Sequence, residues 1–241
     1  MVKTSGESES SPASVVARIL SAAQNHFARF GFEGARVEDI AQEAGVNKAT
    51  LYYQVGDKAA LYHAVVAGVL EKTANAVERA ANATHSPQDQ LTAYITKLAG
   101  AMNAQPHLAP ILLREVASGG AQLSNDLLQP LLRIMGNLRA VLEDGVRRGV
   151  FRCVDPVTTH ILIVGGILFY VGGAPLRARV ATLGSGVVPK TGAVPIARIA
   201  ETVLELVMIP RAVNVVDALT VPPAASPSGT RATTTSRNRS S

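Results

Sequence analysis

Residues 37 to 54 constrain the fold more than any other stretch of the chain. Val37, Ile40, Ala41 and Ala44 recur at three- and four-residue spacing, which predicts a short helix with one apolar face. Gly45 ends that helix, and Val46 is expected to be buried in the turn. Asn47 can cap a second short helix, Lys48 to about Gln54, through its side-chain oxygen. Apolar positions at Ala41, Val46 and Leu51 lock the two helices at a steep angle, which is helix-turn-helix spacing. In such a unit the first helix crosses the nucleic-acid backbone and the second enters the major groove. An ordinary packed helix pair has the same local pattern, so the flanking sequence has to decide between the two.

The flanks are helical. Val16, Ile19, Leu20, Ala23, Phe27 and Phe30 form a periodic apolar stripe, and Gly31 follows as a C-cap candidate. Gly56 and Asp57 break the chain again, and Asp57 can cap a long helix reaching about Ala81. Thr84 to Gln88, with Pro87, reads as a turn. Helical patterns resume over 89–103, 107–118 and 125–148, the last with Pro130 early and Gly149 as C-cap. Asp155-Pro156 is a helix start, Asp as N-cap and Pro at the first helical position, for a helix reaching about Val171. Eight Gly and Pro residues between 172 and 195 predict a loop there. Ile196 to Ile209 is a last helix. Residues 1–12 are polar and Ser/Glu-rich, and 211–241 rich in Ser, Thr, Pro and Ala; both are expected to be disordered. No stretch alternates apolar and polar residues as a half-buried strand would.

The expectation is therefore an all-α protein: an N-terminal three-helix helix-turn-helix domain over 13–60, and a larger C-terminal helical domain over 61–210. With no Trp and 4% aromatics, Ala, Leu, Val and Ile must fill its cores. The net charge of +5 suits a polyanion partner in total but not in placement. Residues 1–70 carry net −1, whereas 71–210 and 211–241 carry +3 each. Nucleic-acid binding therefore has to be argued from the pattern, not from the total.

Several function classes find little support. Cys153 is the single cysteine, which excludes an internal disulfide and a Cys-rich metal site and reads as a buried small apolar residue. The five histidines, His26, His63, His85, His107 and His160, show no metal-ligand spacing. Gly184 to Thr191 looks like a phosphate loop, but Pro189 replaces its last required Gly and removes a backbone donor. No enzyme, cofactor or metal is expected. The opening residues lack the apolar core of a secretory signal. Ile161 to Ala174 is too short an apolar run to span a bilayer, despite a mean hydropathy of +0.20. A cytoplasmic protein without a membrane partner is expected.

Several elements recur in order from Arg18 to Val66: Ile19-Leu20-x-Ala22-Ala23 with Phe27 and Gly31-Phe32; Val37-x-x-Ile40-Ala41-x-x-Ala44-Gly45-Val46; Thr50-Leu51-Tyr52-Tyr53; and Gly56-Asp57-Lys58-x-x-Leu61. This run resembles the tetracycline-repressor (TetR) family of transcriptional regulators. The resemblance implies that Tyr52 contacts a phosphate, and that Lys48, Ala49, Thr50 and Tyr53 face base edges or nearby backbone. Lys58 would meet another phosphate at its helix start. Arg36, Val37 and Asn47 complete the candidate DNA-binding set. Arg36 stands where the family often has a capping Thr, and its guanidinium can reach a phosphate instead. Gln54 and Val55 replace commoner aromatics. On a helical wheel Leu51 points inward, leaving Lys48, Ala49, Tyr52 and Tyr53 outward.

Arg114-Glu115-Val116-x-Ser118-Gly119 and Gly149-x-Phe151-Arg152-x-x-Asp155-Pro156 resemble one subgroup of the family's C-terminal domains. Arg114 and Glu115 read as a solvated or interhelical ion pair. The family architecture implies a homodimer through the last two long helices, with Ile161, Val164, Gly165, Leu168, Ile199, Val203 and Leu206 at the seam. It also implies a small-molecule effector. Tyr94, Met102, His107, Met135 and Phe169 are the pocket candidates, since they bring flexible or aromatic bulk to central helices. The function implied is a sequence-specific regulator of double-stranded DNA: a homodimeric repressor released from a palindromic operator by the effector, with an activator of the same fold as the alternative and a helical enzyme or binding protein without DNA function as the remaining one. The basic tail, with Arg231, Arg237 and Arg239, either adds salt-sensitive attraction to DNA or only solubilises.

Overall fold

The computed structural model describes residues 12–183 and 196–209. Ten helices form among them: α1 Pro12–Gly34, α2 Val37–Glu43, α3 Lys48–Val55, α4 Lys58–Asn82, α5 Pro87–Ala104, α6 Leu108–Ala117, α7 Asn125–Arg147, α8 Pro156–Gly172, α9 Ala174–Thr182 and α10 Ile196–Val207. The expectations for residues 1–11, 184–195 and 210–241 lie outside the described residues.

Four helix starts follow the capping chemistry that the sequence offers. Asn47, Asp57, Ser86 and Asp155 accept from the amides of Thr50, Ala60, Asp89 and Thr158 respectively. Pro87 and Pro156 occupy first-turn positions, where a missing N–H costs nothing. Gly31 breaks α1 with a φ of 72°, but one further turn of helix follows it to Gly34.

Two apolar cores meet on α4. The first gathers Ile19, Phe27, Ile40, Leu51, Leu61 and Val66, and it takes in Ile111 of α6 and Leu127 of α7. The second gathers Val77, Leu91, Tyr94, Leu98, Met102, Leu138, Ile163, Ile167 and Val203. The expected boundary at residue 60 thus falls inside α4, whose first half belongs to one core and second half to the other. Arg133 of α7 fastens that second half. Its guanidinium reaches Glu71 at 2.6 Å, Asn75 at 2.6 Å and Glu78 at 2.7 Å, and the two carboxylates strengthen its hold on the proton.

The loop expected over 172–195 is corrected over its first half, which is α9. Gly173 and Pro175 are not breakers there. They sit at the N-cap and first turn of that helix, ahead of the helix-forming run Leu176 to Ala181. Gly172 instead permits close packing: a Cβ at that position would stand 2.7 Å from a Leu113 methyl. Arg177 of α9 folds back over the Tyr170 ring at 4.0 Å and bonds the Phe169 carbonyl.

The segment after α7 turns at Gly149, φ 69°. Phe151 then seats its ring directly on Gly145, where a Cβ would lie 1.9 Å from a ring carbon. Arg152 N bonds Val207 O at 2.9 Å, and Ile209 N bonds Val150 O at 3.2 Å, tying the end of α10 to this turn, beside which Cys153 is exposed and not buried as expected.

Candidate nucleic-acid interface

The reading helix α3 has eight residues, too few to be stable alone. Three things hold it. Leu51 is fully buried in the first core. Asn47 Oδ1 accepts from Thr50 N at 2.7 Å. Gly56, φ 81°, ends the helix. The helix before it, α2, lacks a side-chain cap at Arg36 and is secured from α1 instead. Asn25 Nδ2 donates to Glu43 at 2.7 Å, His26 Nε2 meets the same carboxylate at 2.8 Å, and Arg18 Nε donates to the Ala44 carbonyl at 3.1 Å. Both short helices therefore have fixed orientations.

This scaffold turns one face of α3 outward. Tyr53 is 87% exposed and Tyr52 42%. Asn47, Lys48 and Ala49 are exposed and Thr50 is half-buried. Arg36 stands exposed at the start of α2. Lys58 bonds the Glu33 carbonyl at 3.1 Å and lies 4.7 Å from the Phe32 ring centroid, next to the start of α4. Val37 is the exception among the nine expected residues. It is 7% exposed and belongs to the first core, on the apolar face it shares with Ile40 and Ala41, so its side chain is not presented. The sequence also concealed a partner: Lys48 Nζ meets the Glu38 carboxylate at 2.5 Å and lies 5.7 Å from the Tyr52 ring. Each member shifts the other, Glu38 downward and Lys48 upward, through their shared bond.

Behind the face, α6 connects the two cores. Arg114 and Glu115 are not paired with each other, contrary to expectation. Arg114 reaches across to α1, donating to Ala28 O at 2.7 Å and Arg29 O at 3.0 Å, the carbonyls freed by the Gly31 break. Glu115 is 4% exposed and accepts from the Tyr62 hydroxyl of α4 and, at 3.2 Å, from Gln122 N. Burial, then the bond to Glu115, holds the Tyr62 phenol protonated far above its ordinary range. A cleft of about 260 Å³ opens beside this junction, lined by Phe30, Gly31, Phe32, Arg114 and Gln122 among others.

The expected pocket residues are not brought together. Tyr94 and Met102 share the second core. Met135 is half-buried on α7, and His107 is exposed at the start of α6. Phe169 is 72% exposed, because it lies about half a turn round α8 from Ile167, which faces inward. The signal that sequence reading missed is His160, whose Nδ1 lies 2.7 Å from the Tyr94 hydroxyl inside the apolar core. Burial lowers the His160 pKa and raises that of Tyr94.

The expected seam residues divide as well. Leu168 and Val203 are 5% and 8% exposed and pack inside this chain. Val164, Gly165 and Ile199 are half-buried, while Ile161 and Leu206 are 61% and 54% exposed. α8 is not buried all round. It covers Thr159, His160, Ile163, Ile167 and Leu168 and exposes Val157, Ile161, Leu162 and Phe169. Among the described residues no single helix is long and apolar enough to cross a membrane, and no group of residues could hold a metal ion.

A capped reading helix seated on a three-helix head, with a larger helical domain behind it, defines a DNA-binding transcriptional regulator of the helix-turn-helix class. Comparison with known proteins gives the family. Residues 19–65 match the bacterial regulatory proteins of the tetR family, and residues 87–181 match a tetracyclin repressor-like C-terminal domain. The regulator RutR of Escherichia coli strain K12 is 29% identical over 174 residues, 72% of this chain and 82% of its own. The repressor SCO4008 of Streptomyces coelicolor is 29% identical over 170 residues, 70% and 84% of the two chains. The crystal structure of HlyIIR, a hemolysin II transcriptional regulator, superposes with a TM-score of 0.59 at 24% identity, covering 80% of this chain and 98% of that one. The chain belongs to the TetR family.

Proposed function

We propose that this regulator is a homodimeric, non-enzymatic cytoplasmic repressor that occupies a near-palindromic operator and leaves it when a small molecule binds the C-terminal domain. The observation that carries the reading is the outward face of α3, where Tyr52 and Tyr53 are exposed on a helix anchored by a fully buried Leu51. Exposed adjacent phenols are poor surface residues but good donors to phosphate oxygens. A dimer reading two half-sites one helical turn apart imposes the palindrome. The exposed apolar residues Ile161, Leu162 and Phe169 of α8 and Leu206 of α10 supply a face for a second copy. The Tyr94–His160 pair is a buried polar contact inside the core of the C-terminal domain, the part of the chain to which the effector is assigned. An effector that favours one spacing of the two heads releases DNA by population shift.

The test is a fluorescence-anisotropy titration on an operator recovered by selection from random DNA. Wild type should bind tightly and weaken with salt. Tyr52→Ala should lose on the order of tenfold, as one modest hydrogen bond is removed from each of two heads. Selection that recovers no preferred sequence would sink the proposal.

A further inference from the structure

The reading face carries its own counterion. Between residues 36 and 58 there are three cations, Arg36, Lys48 and Lys58, against four carboxylates, Glu38, Asp39, Glu43 and Asp57. Two of these carboxylates have local duties. Asp57 caps α4, and Glu43 ties α2 to α1. Glu38 and Asp39 both lie in the first turn of α2, where either charge suits the helix dipole. Glu38 does something more. Its side chain reaches ten residues along the chain to the first residue of the reading helix and holds Lys48 Nζ at 2.5 Å. Both partners are about half exposed, so the bond is made in water and a competing anion can replace it.

We propose that Glu38 is a specificity-determining residue whose carboxylate competes with DNA phosphates for Lys48; this rests on the DNA-binding reading above. A free lysine meeting a phosphate releases a condensed counterion, which drives binding to any sequence. A lysine already neutralised by Glu38 brings almost no such gain. Moving it to a random phosphate also leaves the freed carboxylate beside the duplex. The exchange is repaid where the docked head offers Lys48 a base acceptor, such as guanine O6 or N7, and where Glu38 finds a donor, such as cytosine N4. The pair thus lowers sequence-independent affinity more than operator affinity. The same bond places Lys48 near the Tyr52 ring, so the lysine enters the groove from one position.

The experiment compares full-length wild type, Glu38→Gln and Asp39→Asn by anisotropy on the selected operator and on an unrelated duplex of equal length, across a salt series. Asp39→Asn removes an equal charge from the same turn without touching Lys48. On the unrelated duplex, Glu38→Gln should steepen the slope of log K against log salt by about 1 for each head, and should narrow the preference for operator on the order of tenfold at low salt. Asp39→Asn should keep the wild-type slope. Equal slopes in the two variants would overturn the proposal, because net charge alone would then account for the effect. An unchanged slope in Glu38→Gln would overturn it too. Wild type that prefers no sequence would overturn the DNA-binding reading itself, and this inference with it.

Discussion

Tyr62→Phe probes the junction on which a switch of this fold depends. The substitution removes one oxygen and leaves the ring, which stands edge-on to Phe27 at 4.9 Å and to Phe32 at 5.2 Å. What is lost is the hydroxyl donor to Glu115, a carboxylate that is 4% exposed. A hydrogen bond to a charged group contributes about 1.5–3 kcal/mol, and because Glu115 keeps Gln122 N as a second donor the cost falls near the middle of that range. We expect a loss of about 2 kcal/mol. For a folded unit of this size that lowers Tm by roughly 4–8 °C, with the urea m-value unchanged. Glu115→Gln keeps an oxygen for the hydroxyl, so adding Tyr62→Phe to it should cost about half as much as in wild type. The double-mutant cycle built on urea unfolding gives that difference directly. If Tyr62→Phe and wild type unfold at the same urea concentration, the hydroxyl is not what satisfies Glu115, and the connection drawn here between α4 and α6 is wrong.

Three further outcomes are expected. Gly145→Ala drives a methyl into the Phe151 ring and should cost about 3 kcal/mol or more in urea unfolding, with partial recovery when Phe151→Leu makes room. Arg114→Ala frees the α1 carbonyls of Ala28 and Arg29, so operator affinity should fall several-fold while circular dichroism stays unchanged; equal affinity would show that α6 does not set the pose of the head. Stability should also fall in acid. The buried His160 has its pKa held below 6.5 by desolvation, so below that pH the unfolded chain takes up a proton that the fold refuses, and stability decreases as pH drops. His160→Gln should flatten that decline, and a slope unchanged by the substitution would contradict the assignment.

Much of the head was legible in the sequence because its determinants are local. Asn47 and Asp57 cap the helices that follow them, Gly45 and Gly56 terminate, and Leu51 alone among its neighbours faces inward. Where the sequence misled, long-range packing had overridden a local rule. Gly172, Gly173 and Pro175 read as a loop, yet Gly172 is a point of close approach to α6 and the other two open α9. Phe169 and His107 looked like pocket residues by type, but the phase of α8 and the position of the α6 terminus set them at the surface. Val37 shows the reverse: its membership of the apolar face was visible in the spacing and outweighs its place beside the DNA-facing residues.

By itself the sequence determined the all-helical class, the reading helix and its cap, because spacing and capping act within a few residues. Only the tertiary structure decided which charges meet. Glu38 with Lys48, Tyr62 with Glu115, Arg114 with the α1 carbonyls and Tyr94 with His160 join residues from ten to eighty-six positions apart. Such partners share no periodicity along the chain. Tyr62 and Arg114 meet their partners because α4 and α6 reach into both cores, whereas Glu38 meets Lys48 where α2 packs on α3, and Tyr94 meets His160 where α5 packs on α8; each arrangement is fixed by how the helices bury their apolar faces together.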